Sequence, residues 1–428
     1  MRHQSFALCC LVTLLALGVG CPKKPVPTVK PGTSVPSDIP KTIPKGAPVK
    51  ADGTLDTDAL KKLAFIEALR SQPWNGTEFT WGAPLPDDPA LKQTPAFNPA
   101  WPIMDMAIQP DKFMLPVPKL ALDNPPEPPK EGAARKEPPH PRPVQKVIDP
   151  TVDWAPMPIP PGPIPFTTKL FSYKSEGLKI GGFGSIPTGT GKFPVIIMIH
   201  GYVPAQRYTP DNLRREAEYL SSRGFLVLVP DLRNYGTSDK VDADEEIRRL
   251  GYQRDVLNLM ADVRGSFVPE GDPGSLGLWG FGHGGDLAIK AAIISGAQGV
   301  ESVSGTGLQM ALDHDVFAKG MAPEAATGMD ALYGPPGPET VAWYRAMTAS
   351  NFLDKLPCPV CLVHGELDPV VPIDRPRGFL AIITPLGIQA QFNSLPYTAH
   401  GYFGQDWLSE MTITEQFMRD RLKPVLVH

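Results

Sequence analysis

Two residues late in the chain, Asp368 and His400, are candidates for a general-base pair. In such a pair an imidazole takes a proton from a nucleophile, while a carboxylate fixes the tautomer and stabilises the imidazolium. Each residue follows a predicted strand, at 359–363 before Asp368 and at 390–394 before His400. We therefore expect Asp368 to orient His400 at the carboxyl edge of a sheet.

The nucleophile for this pair is expected in residues 278–285, which read Leu-Trp-Gly-Phe-Gly-His-Gly-Gly between a predicted strand and a predicted helix. A nucleophile elbow has the form G-x-S-x-G, because its sharp turn needs glycine where a Cβ would clash. The elbow glycines are Gly280, Gly284 and Gly285. The serine position is occupied by Gly282, which we assign as a degenerate nucleophile position. A shift of one residue would centre the elbow on His283 but put Phe281 where glycine is required.

Backbone N–H groups for an oxyanion hole are predicted at two places. One lies in the loop after an early strand, and the other belongs to the residue that follows the nucleophile. The early loop is His200-Gly201-Tyr202, after the apolar run 194–199, so the predicted donors are the N–H groups of Tyr202 and His283. The chain order of elbow, aspartate and histidine is a known order for a catalytic triad.

Alternating strands and helices must position these residues. Strands are predicted at 167–173, 178–186, 193–199, 225–229, 276–280, 359–363 and 390–394, and helices at 211–223, 254–267, 285–295, 372–383 and 412–422. Strands that are apolar throughout indicate burial on both faces of a mostly parallel, doubly wound sheet, an α/β fold. We assign residues 166–428 to this domain and 307–349 to a small cap over the pocket, with a surface excursion that has its own minor core as the alternative.

The segment from about residue 193 to 402 resembles the catalytic domain of prolyl oligopeptidase-like serine hydrolases, a group that includes dienelactone-hydrolase-like esterases. The motifs that carry the resemblance are His200-Gly201, the elbow glycines, His364-Gly365 with Asp368, and His400-Gly401. The resemblance implies the α/β-hydrolase fold, a serine nucleophile and hydrolysis of a small acyl, ester or peptide substrate, without a cofactor or metal. Gly282 departs from the family pattern.

Three hypotheses about activity remain open because glycine has no oxygen or sulfur with which to form an acyl-enzyme. In the first hypothesis, the chain is a pseudohydrolase that keeps the pocket and binds a ligand or partner. Alternatively, residual hydrolysis persists, with His400 and Asp368 activating water. In the third hypothesis the glycine is an inactivating substitution or sequencing error in a working serine peptidase or esterase.

The first twenty residues have the pattern of an export signal, with Arg2 and His3 before an apolar run at 6–19. The run ends at Leu17-Gly18-Val19-Gly20-Cys21, which resembles a bacterial lipoprotein signal that lipidates Cys21. A plain secretory signal is the alternative. We therefore expect an exported, membrane-anchored protein of the bacterial cell envelope.

Residues 21–165 form a proline-rich arm that is expected to be largely irregular, because they contain 33 of the 52 prolines. One short helix is predicted at 59–70. The tryptophans and phenylalanines of the arm either pack on the domain or bind an envelope protein partner.

Other functions are disfavoured by composition. A net charge of −4 does not favour nucleic acid. No histidines have metal-ligand spacing. Cys358 and Cys361 flank the start of a predicted strand rather than opening a helix, so they are predicted to be buried thiols rather than a redox pair.

Overall fold

A computed structural model of the chain describes residues 50–54, 56, 65–75, 78–85, 163–203, 208–209, 212–241, 250–305, 314, 323–402 and 404–422. The predicted signal, Cys21 and most of the proline-rich arm lie outside these residues. Of the predicted cap, residues 307–313 and 315–322 lie outside them as well.

The centre of the fold is one nine-stranded sheet with the order β1-β2-β3-β5-β4-β6-β7-β8-β9. The strands are β1 (Thr80–Pro84), β2 (Phe166–Ser175), β3 (Leu178–Pro187), β4 (Phe193–Ile199), β5 (Leu226–Pro230), β6 (Gly271–Phe281), β7 (Gly299–Val303), β8 (Val360–Gly365) and β9 (Ala390–Leu395). β1 to β3 are antiparallel to their neighbours, and β5, β4 and β6 to β9 are parallel. The carboxyl ends of the parallel strands therefore share one edge.

Helices cover both faces of the sheet. They are α1 (Ile66–Arg70), α2 (Arg214–Ser221), α3 (Leu250–Arg264), α4 (His283–Ser295), α5 (Pro323–Tyr333), α6 (Val341–Met347), α7 (Asp374–Ile383) and α8 (Gly404–Leu422), with 3₁₀ turns at Ala349–Lys355 and Thr384–Leu386. One apolar cluster contains residues of α3 and α4, among them Leu257 and Ile289. A separate cluster contains residues of α2 and α8, among them Leu220 and Met411. The doubly wound, mostly parallel sheet predicted from the sequence is confirmed.

Two strands of the sheet were not predicted. β7 contains Glu301 and Ser302, yet all five of its residues are buried because β6 and β8 pair with it on either side. β1 lies in the proline-rich arm and pairs antiparallel with β2. Its Trp81 Nε1–H donates to Glu270 Oε2 at 2.7 Å, which ties the arm to the start of β6.

The described part of the arm is packed into the domain. The predicted helix at 59–70 is present as α1 over residues 66–70, and residues 57–64 lie outside the described ones. Ile66 and Leu69 of α1 are 1% and 2% exposed and belong to the same cluster as α4. A segment expected to be largely irregular thus contributes a helix and an edge strand to the fold.

The described part of the predicted cap contains α5 and α6. These helices share a small apolar cluster formed by Met329, Leu332, Tyr333, Tyr344 and Met347. Its role as a cap over the pocket stays a prediction. Among all the helices that the structure describes, none is both long and apolar enough to cross a membrane.

Candidate active site

Gly282 lies in the sharp turn between β6 and α4. Its φ is +53° and its ψ is −120°, a backbone conformation that residues with a Cβ rarely adopt. The N–H of Gly282 donates to Val303 O at 2.8 Å, and its carbonyl accepts from the N–H of Gly285 at 3.0 Å. The turn is therefore fixed both to β7 and to the first turn of α4.

The other elbow glycines are required by close backbone approach. A Cβ on Gly280 would overlap the carbonyl of Gly284, and a Cβ on Gly284 would overlap the carbonyl of Ile199 in β4. A Cβ on Gly285 would meet Ser302 Oγ. Gly282 differs, since the nearest atom beyond its chain neighbours would lie 3.6 Å from a Cβ there. The elbow has room for a side chain at the one position where the motif expects serine.

The atom nearest to that Cβ position is His400 Nε2. The opposite ring nitrogen, Nδ1, lies 2.8 Å from Asp368 Oδ2, and both side chains are buried. Asp368 Oδ1 accepts from the backbone N–H groups of Val370 and Val371, each at 2.8 Å. With its other oxygen held this way, the carboxylate accepts from Nδ1–H and directs Nε2 towards the elbow.

His364 is a further neighbour of Asp368 that was not predicted. Its Nε2 lies 2.7 Å from Val371 O and 3.4 Å from Asp368 Oδ2. Burial lowers the pKa of His364, so its neutral form donates Nε2–H to the Val371 carbonyl. The spacing of four residues between His364 and Asp368 was the available signal.

Ser304 was also missed, and it holds the loop that carries His400. This serine directly follows β7, has a φ of +51° and is fully buried. Its Oγ donates to His400 O at 3.2 Å and lies 3.0 Å from Tyr402 Oη. Non-glycine residues keep such strained backbones only where the surroundings impose them. Nothing in the local sequence indicates the positive φ.

The residues that carry the predicted oxyanion donors are neighbours in sequence of Gly282 and of Gly201. His283 is the first residue of α4, whose first-turn N–H groups have no acceptor within the helix itself. Tyr202 follows Gly201, and Gly201 Cα lies 3.9 Å from the Cβ position of Gly282. The oxyanion function of Tyr202 and His283 stays a prediction.

His200, in the same loop, is buried and structural. Its Nδ1 lies 2.7 Å from Gly201 O, and its Nε2 lies 3.1 Å from Asp231 O after β5. Burial lowers the pKa of its imidazole. His200 thus joins the carboxyl ends of β4 and β5.

A cavity of about 30 Å³ opens beside the elbow. Three of its lining residues, Gly201, Phe281 and Val303, flank Gly282 in space or in sequence. The remaining lining residues are mainly aromatic and apolar with two carboxyl groups: Asn212, Leu213, Glu216, Trp279, Tyr402, Trp407 and Glu410. This volume is enough for about two water molecules.

Two other features bear on the chemistry. Cys358 and Cys361 are buried free thiols, as predicted, and burial raises the pKa of Cys358 to about 12 and that of Cys361 well above its ordinary value. Within the described part of the chain, no group of three or more histidine, cysteine, aspartate or glutamate residues is arranged to hold a metal ion.

Residues 180–319 match the dienelactone hydrolase family. The matched segment contains Gly282, Tyr202 and His283, while Asp368 and His400 lie beyond it. A thiohydrolase of Aspergillus aculeatus, aneE, is 30% identical over 122 residues, which are 27% of this chain and 34% of that protein. The chain thus covers about a third of this relative's length.

Several solved structures are similar. Acylaminoacyl peptidase of Pyrococcus horikoshii is 19% identical over 61% of this chain and 43% of its own, with a TM-score of 0.49. A puromycin-hydrolyzing peptidase of Mycobacterium tuberculosis is 20% identical over 57% and 37%, with a TM-score of 0.46. Acetyl xylan esterase 1 of Thermoanaerobacterium sp. is 20% identical over 60% and 83%, with a TM-score of 0.45.

The resemblance predicted from the motifs is confirmed by the family match. Together with the doubly wound sheet and the strand-to-helix elbow, the match identifies a hydrolase-fold protein related to dienelactone hydrolases.

Proposed function

We propose that this hydrolase-fold protein is an exported pseudohydrolase, which binds a ligand or partner at the elbow and has lost acyl-transfer catalysis. The observation that carries the proposal is the chemistry of position 282. His400 Nε2 points to the place where a nucleophile would be deprotonated, and glycine offers no oxygen or sulfur there. Acyl-transfer enzymes that lose the serine retain only about 10³–10⁴-fold catalysis over water.

A second candidate function is hydrolysis in which His400 activates water. It is favoured by the Asp368–His400 hydrogen bond of 2.8 Å, which is the geometry of an orienting carboxylate and a general base. A third candidate, a working peptidase or esterase that depends on serine at position 282, is favoured by the room for a Cβ there.

The three candidates are separated by assaying the purified chain with short-chain p-nitrophenyl esters and aminoacyl p-nitroanilides. The variants are Gly282→Ser and His400→Ala. Gly404→Ser is the matched control, because Gly404 has the same φ of +53° and no atoms near its Cβ position. The pseudohydrolase proposal expects turnover near background for the unmodified chain and a gain of about 100-fold or more in Gly282→Ser.

Robust turnover by the unmodified chain that is lost in His400→Ala would overturn the pseudohydrolase proposal and support water activation. Turnover that appears only in Gly282→Ser would support the pseudohydrolase proposal and show that the rest of the site is intact, and resequencing codon 282 of the native gene decides the serine-dependent candidate. If Gly282→Ser stays inactive while its fold is intact, the rest of the site is also impaired.

We further propose that Cys21 anchors the protein in the cell envelope, where the proline-rich arm contacts a partner protein. Cys21→Ser should move the protein from the membrane fraction to the soluble fraction and abolish labelling with a clickable palmitate analogue. Cys10→Ser, inside the predicted signal, is the control and should leave both unchanged. Retention of label by Cys21→Ser would refute the anchor.

A further inference from the structure

His400 presents to the elbow one ring nitrogen that no described residue engages. Its side chain is 6% exposed, and Nδ1 is occupied by Asp368. Among the described residues, Nε2 has no hydrogen-bond partner, and it points to the Cβ position of Gly282 at 3.6 Å. An imidazole nitrogen with no partner among these residues, on a ring that is otherwise mostly buried, can share a proton with a ligand.

The second ligand-directed feature is the start of α4, a helix of 13 residues that begins directly after Gly282. The first-turn N–H groups and the helix dipole favour negative charge at this point. Both features adjoin position 282, because Nε2 lies 3.6 Å from the Cβ position of Gly282 and α4 begins at the next residue.

In a serine enzyme this volume holds Cβ and Oγ, and the acyl-enzyme adds a carbonyl oxygen at the oxyanion hole. A free carboxylic acid carries the same two oxygens on one carbon. With glycine at position 282, one carboxyl oxygen can take the Oγ place beside Nε2, and the other can lie at the start of α4. Serine or alanine at position 282 would fill part of that volume.

We propose that Gly282 makes the elbow a binding site for a short-chain monocarboxylic acid, held between His400 Nε2 and the start of α4. The proposal rests on the pseudohydrolase function and names its ligand class. One proton is shared between the carboxyl group and Nε2, while Nδ1–H continues to donate its hydrogen bond to Asp368 Oδ2. The ligand and imidazole together therefore carry no net charge, whichever atom holds the proton.

The adjoining cavity of about 30 Å³ sets the size of the alkyl chain. Gly201 and Phe281 are among its lining residues and its lining is mainly apolar, so it suits a chain of two or three carbons. Glu216 and Glu410 also line it. Burial raises the pKa of Glu216 to about 7 and that of Glu410 well above its ordinary value, which weakens their repulsion of an anionic ligand below neutral pH.

The test is isothermal titration calorimetry of the full chain at pH 6, with acetate, propionate, butyrate and octanoate as the ligands. The three short acids should bind, and octanoate should bind at least about 10-fold more weakly because the cavity is small. Gly282→Ser and His400→Ala should each weaken propionate binding about 10-fold or more. Gly404→Ser should bind like the unmodified chain.

Binding of propionate that survives both Gly282→Ser and His400→Ala would overturn the proposal, as would the absence of any binding. Gly282→Ala provides a second variant, since its Cβ fits without an added hydroxyl; unweakened binding in it would also count against the proposal. Thermal melting of each variant separates loss of the fold from loss of the site. Failure of acid binding with background turnover rejects the ligand class alone, whereas robust turnover by the unmodified chain rejects the proposed function.

Discussion

Replacing Glu301 by glutamine should make the stability of the protein less dependent on pH. Glu301 in β7 and Glu410 in α8 are completely and almost completely buried, and both approach the hydroxyl of Thr414. Thr414 Oγ1 lies 2.9 Å from Glu301 Oε1 and 3.0 Å from Glu410 Oε1. A hydroxyl has one hydrogen, so it can donate to only one of these oxygens. The second contact is a hydrogen bond only if that carboxyl is protonated and donates to Oγ1.

The pKa shifts of Glu301 and Glu410 also indicate that at least one of these carboxyl groups is protonated. Burial raises the pKa of Glu301 from 4.5 to about 8, and burial together with the charge of Glu301 raises that of Glu410 well above its ordinary value. Between pH 4.5 and 8 the unfolded chain has released the Glu301 proton and the folded chain keeps it. The free energy of unfolding therefore falls as pH rises through this window, by about 1.4 kcal/mol per pH unit for one proton. Over the whole window, Glu301 accounts for about 5 kcal/mol.

The assay is urea unfolding followed by tryptophan fluorescence at pH 5, 6, 7 and 8. Because glutamine is uncharged, the slope of the Glu301→Gln variant should be shallower by about 1.4 kcal/mol per pH unit. Glu339→Gln, at an exposed position, is the matched control and should keep the slope of the unmodified protein. Equal slopes for Glu301→Gln and the unmodified protein, or a stability that rises with pH in this window, would refute the reasoning.

Three further substitutions test how the site is supported. Gly284→Ala should destabilise the protein by about 3 kcal/mol because its Cβ would overlap the β4 backbone; a normal melting temperature would contradict the close approach. Ile66→Ala should cost about 2–5 kcal/mol in urea unfolding if the arm belongs to the core, and about zero if it does not. Asp255→Asn removes the charge that pairs with buried Arg233 at 2.8 Å and should cost about 3–5 kcal/mol, with a loss below 1 kcal/mol counting against the ion pair.

The sequence was most informative where one physical requirement dominates. β4 was predicted over 193–199 because a strand between two parallel neighbours is apolar on both faces, and the structure gives the same bounds. β7 was missed because Glu301 and Ser302 are polar. The flanking strands cover both residues and Thr414 in α8 bonds to Glu301, and these partners lie elsewhere in the sequence.

At the candidate site, too, local sequence indicated the main residues, and contacts between distant parts of the chain were missed. Asp368 and His400 were identified from their order and their places after strands, and the structure brings them to 2.8 Å. The contacts that support them were not identified. Ser304 reaches the carbonyl of His400 across 96 residues of sequence, through a positive φ that no local pattern indicates.

The elbow keeps its shape without help from the residue at position 282. Gly280 and Gly284 are required by backbone contacts between β6, α4 and β4, and those contacts would be the same with serine or glycine between them. Glycine also relieves about 1–3 kcal/mol of strain at a positive φ.

The base is equally independent of the nucleophile. Asp368 is fixed by the N–H groups of its own loop, and His400 is fixed by Asp368 and Ser304. Gly282 therefore leaves this imidazole beside a helix start, an arrangement that suits a general base and also suits the carboxyl ligand proposed above. For this reason the intact pair supports a binding function as strongly as a catalytic one, and turnover by the unmodified chain, with its loss in His400→Ala, decides between them.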